Sequence, residues 1–232
     1  MGNRYQNETC LALSQPLTFA ADIADKFPNA EVIGTDLSPV QPGMQPDNCR
    51  FEIDDMTSEW VYPTSYFDFI HIRGLFGSIN DWSALYRQCY QHLKPGGYIE
   101  QLEWSIHNRS ADGTLSPNAT LARWSQNALE VARRSGKTFE IAENMAGLIS
   151  EAGFVDVVEK RFKWPIGPWS SDAKLKEIGR WNLLNWEEGM EGWCMAPYTR
   201  VLGVSSGPSF LIKMRAGANI LRSGPTLKSR TG

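Results

Sequence analysis

The chain has 232 residues and a mass of 26.1 kDa, with 42% hydrophobic and 21% charged residues, values typical of a globular protein. Its formal net charge of −3 gives no general reason to expect binding to nucleic acid or to an anionic membrane. The four cysteines are widely spaced without a Cys-x-x-Cys pair, so we expect reduced thiols and no zinc or other metal site. The sequence has neither a secretory leader nor an apolar run of about 18 residues. We therefore expect an intracellular protein of the cytoplasm or nucleus, with no membrane segment.

The first half of the chain alternates between short apolar strands and helices. Residues 9–14 have the composition of a short strand, and residues 17–27 have the broad apolar face of a helix, which Pro28 ends. Apolar runs with polar ends follow and predict three more strands, at residues 31–35, 49–53 and 66–72. This alternation predicts an α/β fold with a parallel sheet. In such sheets, ligands bind at the carboxyl ends of the strands.

The second half predicts further helices around one more strand. Asn80 is expected to cap a helix over residues 81–93, where apolar side chains recur at helical spacing. Pro95-Gly96-Gly97 ends that helix, and residues 98–104 follow as a strand. We then expect helices near residues 118–135 and 139–152, a strand near 154–162, and a helix over about 172–189 capped by Ser171.

Five of the nine tryptophans lie within residues 164–193. The interpretation that we favour is packing in a core or cap, although aromatic walls also hold cationic or flat substrates. Beyond Glu191 the chain has basic residues and no acidic ones, so its tail is basic. The interpretation that we favour gives this tail no evolved nucleic-acid function.

Acidic side chains follow two of the predicted strands. Asp36 ends the strand at 31–35, where a carboxylate can accept two hydrogen bonds from the hydroxyls of a ribose. Asp54, Asp55 and Met56 follow the next strand, where a carboxylate can accept from an adenine amino group and a thioether can lie on the ring. The alternatives are a solvated or capping acid at Asp36 and an ordinary turn pair at 54–55.

The strand at 66–72 ends with His71, Ile72 and Arg73. His71 alternates with isoleucines, which favours a core histidine, whereas Arg73 at the strand tip is a candidate for lining the crevice. No Ser/His/Asp or Cys/His arrangement is evident. That absence favours a reaction in which the protein mainly positions its reactants.

Taken together, these motifs resemble the class I S-adenosylmethionine-dependent methyltransferases, and within them the fungal LaeA-like, or TAM-type, group. The resemblance extends over about residues 19–203 and depends on several segments in fixed order. These segments are residues 24–39, 48–55, 67–73, 93–100, 151–154, 165–169 and 199–203.

The resemblance implies a Rossmann-like sheet of seven strands with helices on both faces and S-adenosyl-L-methionine as the cofactor. Asp36, with Leu37 beside it, would hold the ribose, and residues 54–56 would lie near the adenine. Ile72 and Arg73 would border the methionine end. The chain would divide into an atypical N-terminal segment at 1–18, a methyltransferase core at 19–163, a Trp-rich helical cap at 164–203 and a basic, irregular tail at 204–232.

The sequence departs from this family pattern at both ends. The family's Gly-rich loop after its first strand would place glycines at Leu13, Gln15 and Leu17, and none of these is glycine. Side chains there would obstruct the approach of the backbone to the cofactor. The first strand also looks shortened, and from Val204 onward the family's last antiparallel strand is replaced by the basic tail.

Three functions therefore stay open from the sequence. The first is methyl transfer to an unknown small molecule or protein. The second is a non-catalytic regulator of secondary metabolism that acts through protein partners, and the LaeA resemblance implies velvet-type partners. The third, a nicotinamide-dependent dehydrogenase, would need the same Gly-rich loop and lacks a Tyr-x-x-x-Lys pair.

Overall fold

A computed structural model of the chain describes residues 8–14, 18–38, 45–110 and 112–203. The described residues fall into two compact units. The first unit holds the described residues up to 106 together with 136–158, and the second holds residues 107–135 together with 159–203. The basic tail that the sequence analysis singled out, and the positions Gln15 and Leu17, lie outside the described residues.

The first unit is built on a five-stranded parallel sheet, which confirms the predicted α/β class. Its strands are β1 (Thr9–Ser14), β2 (Glu31–Asp36), β3 (Cys49–Ile53), β4 (Phe67–Arg73) and β5 (Leu93–Leu102). The spatial order is β3-β2-β1-β4-β5. The strand that looked shortened is thus six residues long and central. The order changes direction between β1 and β4, and this is the place where doubly wound sheets bind ligands.

Alternating side chains of the strands give the sheet two apolar faces. Leu11 and Leu13 of β1 join a core with Ile70 and Ile72 of β4, and all four are almost fully buried. Cys10 and Ala12 point to the opposite face and pack in a second core. Because successive residues of a strand face opposite sides, an apolar run such as β1 can bury both faces at once.

Helices cover these two cores. Helix α1 (Thr18–Lys26) places Ala20 and Ala24 in the second core. Helices α2 (Trp82–His92) and α4 (Ile141–Glu151) contribute to the first core. The cap predicted at Asn80 is wrong by one residue, since the Asp81 carboxylate accepts from the Ala84 N–H at 2.8 Å.

The predicted strand near residues 154–162 is not formed. Its residues are irregular and largely exposed, with Val155 and Val158 at 83% and 74% exposure. The alternating valines resemble a strand, but a strand needs a neighbour to accept its backbone hydrogen bonds. Among the described residues β5 pairs only with β4, so the sheet does not continue to this segment.

The second unit is helical. Helix α3 (Thr120–Ser135) and the long helix α5 (Ala173–Ala196) are its main elements, and a π-helical turn, Pro197–Val201, follows α5 directly. Asp172, not Ser171, caps α5, because its carboxylate accepts from the Leu175 N–H at 2.8 Å. Within the described parts of the chain, no helix combines the length and the apolar composition needed to cross a membrane.

Three tryptophans of the second unit pack against one another. The rings of Trp124 and Trp186 meet edge to face at 4.7 Å, and those of Trp186 and Trp193 at 5.9 Å. The Trp124 indole N–H also donates to the Cys194 sulfur at 3.2 Å. In these contacts the edge of one ring meets the face of the next, an arrangement that aromatic side chains prefer when they pack. These contacts support the packing interpretation for Trp186, which is 8% exposed. The other four tryptophans of the 164–193 group are exposed at 48%, 58%, 66% and 41%, in the order Trp164, Trp169, Trp181 and Trp193.

Candidate functional site

The strand register aligns the carboxyl ends of the five strands. Asp36 of β2 lies opposite Ile53 of β3, and Arg73 of β4 lies opposite both Ser14 of β1 and Leu102 of β5. Residues that directly follow these positions therefore emerge together along one edge of the sheet. Both Asp54, after β3, and Glu103, after β5, are such residues.

Asp36 is held in place at the end of β2. Its side chain is part of a residue only 8% exposed, and its carboxylate accepts from the Ser38 N–H at 2.8 Å. Its carbonyl also accepts from the Asp54 N–H at 3.2 Å, which joins the ends of β2 and β3. Leu37 turns outward and is 67% exposed. A fixed carboxylate at this place has the chemistry to bind a vicinal diol.

The segment after β3 is a tight turn of half-buried residues. Asp54 accepts from the Asp55 N–H at 2.8 Å, and Asp55 accepts from both the hydroxyl and the N–H of Thr57. These two bonds from Thr57 hold the pKa of the Asp55 carboxyl below its usual range. The Met56 side chain packs against the first core. Asp54 is thus the acid of the pair with fewer turn contacts.

The end of β4 places two polar residues on the α1 face of the sheet. His71 is buried, and its ring stacks on Phe19 of α1 with centroids 4.0 Å apart. Its Nδ1 lies 3.0 Å from the Glu100 carboxylate, and this hydrogen bond lowers the pKa of Glu100. Arg73 lies over the same phenylalanine ring at 5.9 Å. Ile72 is fully buried in the first core, so its backbone is the part that can border a ligand.

Glu103 is a further acid at this edge, and the sequence did not single it out. Its Oε1 accepts from the Leu75 N–H at 2.9 Å, and its Oε2 accepts from the Phe76 N–H at 3.4 Å. The turn that leads to these amides begins at Gly74, whose φ of 67° favours glycine and whose N–H donates to the Leu102 carbonyl. Glu103 thereby joins the ends of β4 and β5, as Asp36 joins those of β2 and β3. No clear signal in the sequence marked it, because polar residues also precede it in β5 and the predicted strand ran through it to Trp104.

Burial raises the pKa of Glu103 to about 7, although the Leu75 and Phe76 amides and the neighbouring Gln101 amide favour its charged form. Tyr86 of α2 donates to Gln101 at 2.5 Å, and burial raises the pKa of its phenol well above the usual range. The carboxyl of Glu103 therefore changes its charge close to neutral pH. A carboxyl with such a pKa can act as a general base or acid.

Three aromatic rings lie beside Glu103. Phe76 meets Trp104 at 4.7 Å and Phe139 at 5.7 Å, both edge to face. All three residues are half-buried. We call this group the aromatic wall. It gives the β4–β5 side of the edge an apolar surface next to a carboxyl.

The first unit has two open clefts, and both lie away from the carboxyl ends of β2 and β3. A cleft of about 320 Å³ is lined by residues 28–31 and 47–50, at the amino ends of β2 and β3 and thus away from the carboxyl edge. A cleft of about 460 Å³ lies at the start of α2, where Asp81 and Trp82 face Thr138 and Asn144. Neither cleft contains the acids that the sequence analysis selected.

A doubly wound parallel sheet with acids at the ends of β2, β3 and β5 is the α/β architecture in which nucleotides commonly bind at the carboxyl edge. The methyltransferase domain family matches residues 18–159. The chain therefore belongs to that methyltransferase family, as its motifs indicated.

Curated relatives are also similar over most of the chain. The methyltransferase pytC of Aspergillus terreus is 42% identical over 80% of this chain and 57% of its own length. The secondary metabolism regulator LAE1 of Cochliobolus heterostrophus is 38% identical over 79% of this chain and 60% of its own. The secondary metabolism regulator laeA of Aspergillus fumigatus is 34% identical over 80% of this chain and 50% of its own length. The chain thus spans about half to three fifths of the relatives that it matches.

Solved structures share the fold. A phosphoethanolamine N-methyltransferase 2 from Haemonchus contortus, solved with S-adenosyl-L-methionine, has a TM-score of 0.56 and 18% identity over 95% of this chain and 46% of its own. A putative sarcosine dimethylglycine methyltransferase from Galdieria sulphuraria has a TM-score of 0.52 and 16% identity, over 95% of this chain and 74% of its own. S-adenosylmethionine is the cofactor of this family.

The hydrogen-bond acceptors at the edge fit this cofactor in chemical type. The Asp36 carboxylate can accept from the two hydroxyls of a ribose. Asp54, which follows the neighbouring strand β3, can accept from the exocyclic amine of an adenine. The residue at the position of the family's first glycine is less favourable for cofactor binding. Leu13 lies there, inside β1, and is 1% exposed in the first core.

Proposed function

We propose that this chain binds S-adenosylmethionine at the carboxyl edge of its sheet and transfers the methyl group to a small molecule or a protein. The observation that carries the proposal is the fixed Asp36 carboxylate, joined through its backbone to Asp54 on the neighbouring strand. In this arrangement Asp36 binds the ribose and residues 54–56 lie along the adenine. Arg73 borders the methionine end at the centre of the sheet.

The chain's own residues contribute mainly binding and orientation. When bound, the cofactor supplies the methyl group on an activated sulfur. The protein holds the two reactants in line and excludes water between them, and such positioning alone can lower a barrier substantially. The buried strand ends give the edge a low-dielectric floor, which strengthens each hydrogen bond to the ligand.

A thermal melt with S-adenosylhomocysteine tests the proposal. At about 100 times its dissociation constant, a ligand that binds only the folded state adds about 2.7 kcal/mol. For a chain of this size, we expect the midpoint to rise by roughly 5–10 °C. Asp36→Ala should remove the rise while leaving the ligand-free midpoint close to that of the wild type. A rise that persists undiminished in this variant would exclude Asp36 from the site.

A second candidate is a regulator without catalysis that acts through protein partners, with velvet-type proteins as the expected class. Two observations support it: Leu13 stands where the family has glycine, and several relatives are named regulators of secondary metabolism. A cooperative melt that S-adenosylhomocysteine does not shift would favour this candidate. Co-sedimentation with a purified velvet-domain protein would then test the partner class.

A further inference from the structure

Glu103 is a titratable group that cofactor binding does not use. Adenine and ribose contacts fall on the β2–β3 side of the edge, whereas Glu103 follows β5 at the other side. Neighbouring strands are about 4.8 Å apart, so the ends of β3 and β5 are separated by roughly 19 Å. A cofactor that extends from β3 across β2 and β1 therefore presents its reactive end near β4. The next strand end beyond that point carries Glu103.

Its two backbone contacts leave Glu103 able to accept a further hydrogen bond. A carboxylate has about four acceptor sites, and the longer contact, from Phe76 to Oε2 at 3.4 Å, is weak. The residue is half-buried and directly follows β5 at the carboxyl edge of the sheet. The Leu75 and Phe76 amides fix the position of the carboxylate. The aromatic wall beside it adds an apolar surface that suits a flat ring.

We propose that Glu103 accepts the proton of the methyl acceptor, and that this acceptor is a planar aromatic alcohol packed on the aromatic wall of Phe76, Trp104 and Phe139. The proposal rests on the proposed methyl transfer and names the substrate class of the same site. Glu103 is then a catalytic residue, because its carboxylate contacts the reacting hydroxyl.

The proposed step balances. The O–H bond of the acceptor breaks and its proton passes to the Glu103 carboxylate, which becomes a neutral acid. The electron pair left on oxygen forms the new bond to the methyl carbon. The sulfur–carbon bond of the methyl donor breaks and its electron pair stays on sulfur. Glu103 later releases the proton to water, which is favourable for a carboxyl that titrates near neutral pH.

The first experiment measures the titration of Glu103 directly. The side-chain carboxyl carbons of ¹³C-labelled glutamates are followed by NMR in the full chain, and the Glu103 signal is assigned as the one missing in Glu103→Gln. We expect its midpoint between about pH 6 and 8. A midpoint near the ordinary 4.5 would overturn the proposal, because such a carboxylate is a poor base at neutral pH.

The second experiment uses 2-naphthol as a planar aromatic alcohol and measures its binding by calorimetry with saturating S-adenosylhomocysteine. With a pKa of about 7, the charged fraction of Glu103 is about 0.9 at pH 8 and about 0.1 at pH 6. We therefore expect about tenfold tighter binding at pH 8 in the wild type. Glu103→Gln should lose this dependence, and Glu151→Gln, an exposed glutamate of the same unit, should keep it.

The outcomes separate this proposal from the proposed function. If S-adenosylhomocysteine stabilises the chain but 2-naphthol does not bind, the aromatic acceptor is wrong while methyl transfer stands. If naphthol binds with the same pH dependence in Glu103→Gln, another group accepts the proton. If S-adenosylhomocysteine itself fails to stabilise the chain, both proposals fail. A melt of each variant shows that it is folded.

Discussion

At the scale of single residues, the buried carboxyl of Glu103 should reduce stability at neutral and alkaline pH. Its pKa is higher in the folded chain than the ordinary 4.5 expected on unfolding. The stability that it contributes is therefore fully present below about pH 4.5 and is lost as the pH rises through about 7. We expect Glu103→Gln to raise the melting temperature at pH 8, with a gain of the order of 2–3 kcal/mol.

Melts at pH 8 and pH 5 provide the check. At pH 5 the wild-type carboxyl is largely protonated and resembles the neutral amide, so the two chains should melt within about 1 kcal/mol of each other. Glu151→Gln is the exposed control and should change neither melt. A Glu103→Gln chain that is less stable at pH 8 would show that the charged form is favoured by its amide contacts. A functional group that costs stability is a common compromise in active sites.

The residue scale is also where sequence reasoning was least complete. The acids after β2 and β3 could be selected because each stands at a clear end of an apolar run. Glu103 follows Gln101 and Leu102 in a strand with no sharp end, so its position after β5 was hidden. Its elevated pKa depends on burial by distant residues, which no local pattern contains.

At the scale of elements, the start of α2 distinguishes two neighbouring cap residues. Asp81 accepts from the Ala84 N–H, so Asp81→Ala should cost about 1 kcal/mol. Asn80→Ala should cost much less, although Asn80 has an equally good capping side chain. Thermal or denaturant unfolding of the two variants gives the comparison. Equal losses would mean that the cap is shared, and a larger loss for Asn80→Ala would contradict the observed start of the helix.

Helix α5 contains a glycine that a loop requires. The Gly167 carbonyl lies 2.1 Å from the place where a Cβ on Gly179 would be, and the Gly167 N–H donates to the Gly179 carbonyl at 3.0 Å. Gly179→Ala forces the segment before α5 away from the helix. We expect a loss of about 1–3 kcal/mol in the unfolding free energy, measured by denaturant titration.

Gly192 is the matched control, because it lies in the same helix with nothing near its Cβ position. Gly192→Ala should stabilise the chain by up to about 1 kcal/mol, since alanine is the better helix former. A loss at Gly192 equal to that at Gly179 would show that helix geometry, and not the contact with Gly167, sets the cost.

The strands show why element prediction succeeded in one place and failed in another. β2, β3 and β4 were predicted to within about one residue because each is a short segment rich in apolar and aromatic residues between turn signals. The segment at 154–162 has a comparable pattern, but strand formation depends on a neighbouring edge that the local sequence does not specify. The cap positions differed by one residue because Asn80 and Asp81, like Ser171 and Asp172, are all good capping residues.

At the scale of the whole molecule, the reactivity of the cysteines measures how well both units are folded. Cys10, Cys49 and Cys89 belong to the first unit and Cys194 to the second, and all four are buried and free. Burial raises the pKa of Cys10 to about 12 and those of Cys49 and Cys194 to about 11. Thiolates are the reactive form, so the native chain should react slowly with iodoacetamide at neutral pH, and the urea-unfolded chain quickly.

This reactivity can connect the proposed site with the stability of the sheet. Cys10 lies in the central strand β1, so a reagent reaches it only when the sheet opens, and Cys49 lies in the edge strand β3 and is also almost fully buried. S-adenosylhomocysteine at about 100 times its dissociation constant should slow their labelling by up to about 100-fold, if opening destroys the site. Mass spectrometry of the labelled peptides measures each rate separately. In Asp36→Ala the same ligand should slow the labelling of neither cysteine, because the carboxylate proposed to bind the ribose is gone. Slowing that survives this substitution would place the ligand elsewhere on the chain, and the edge would then have to be assigned another function.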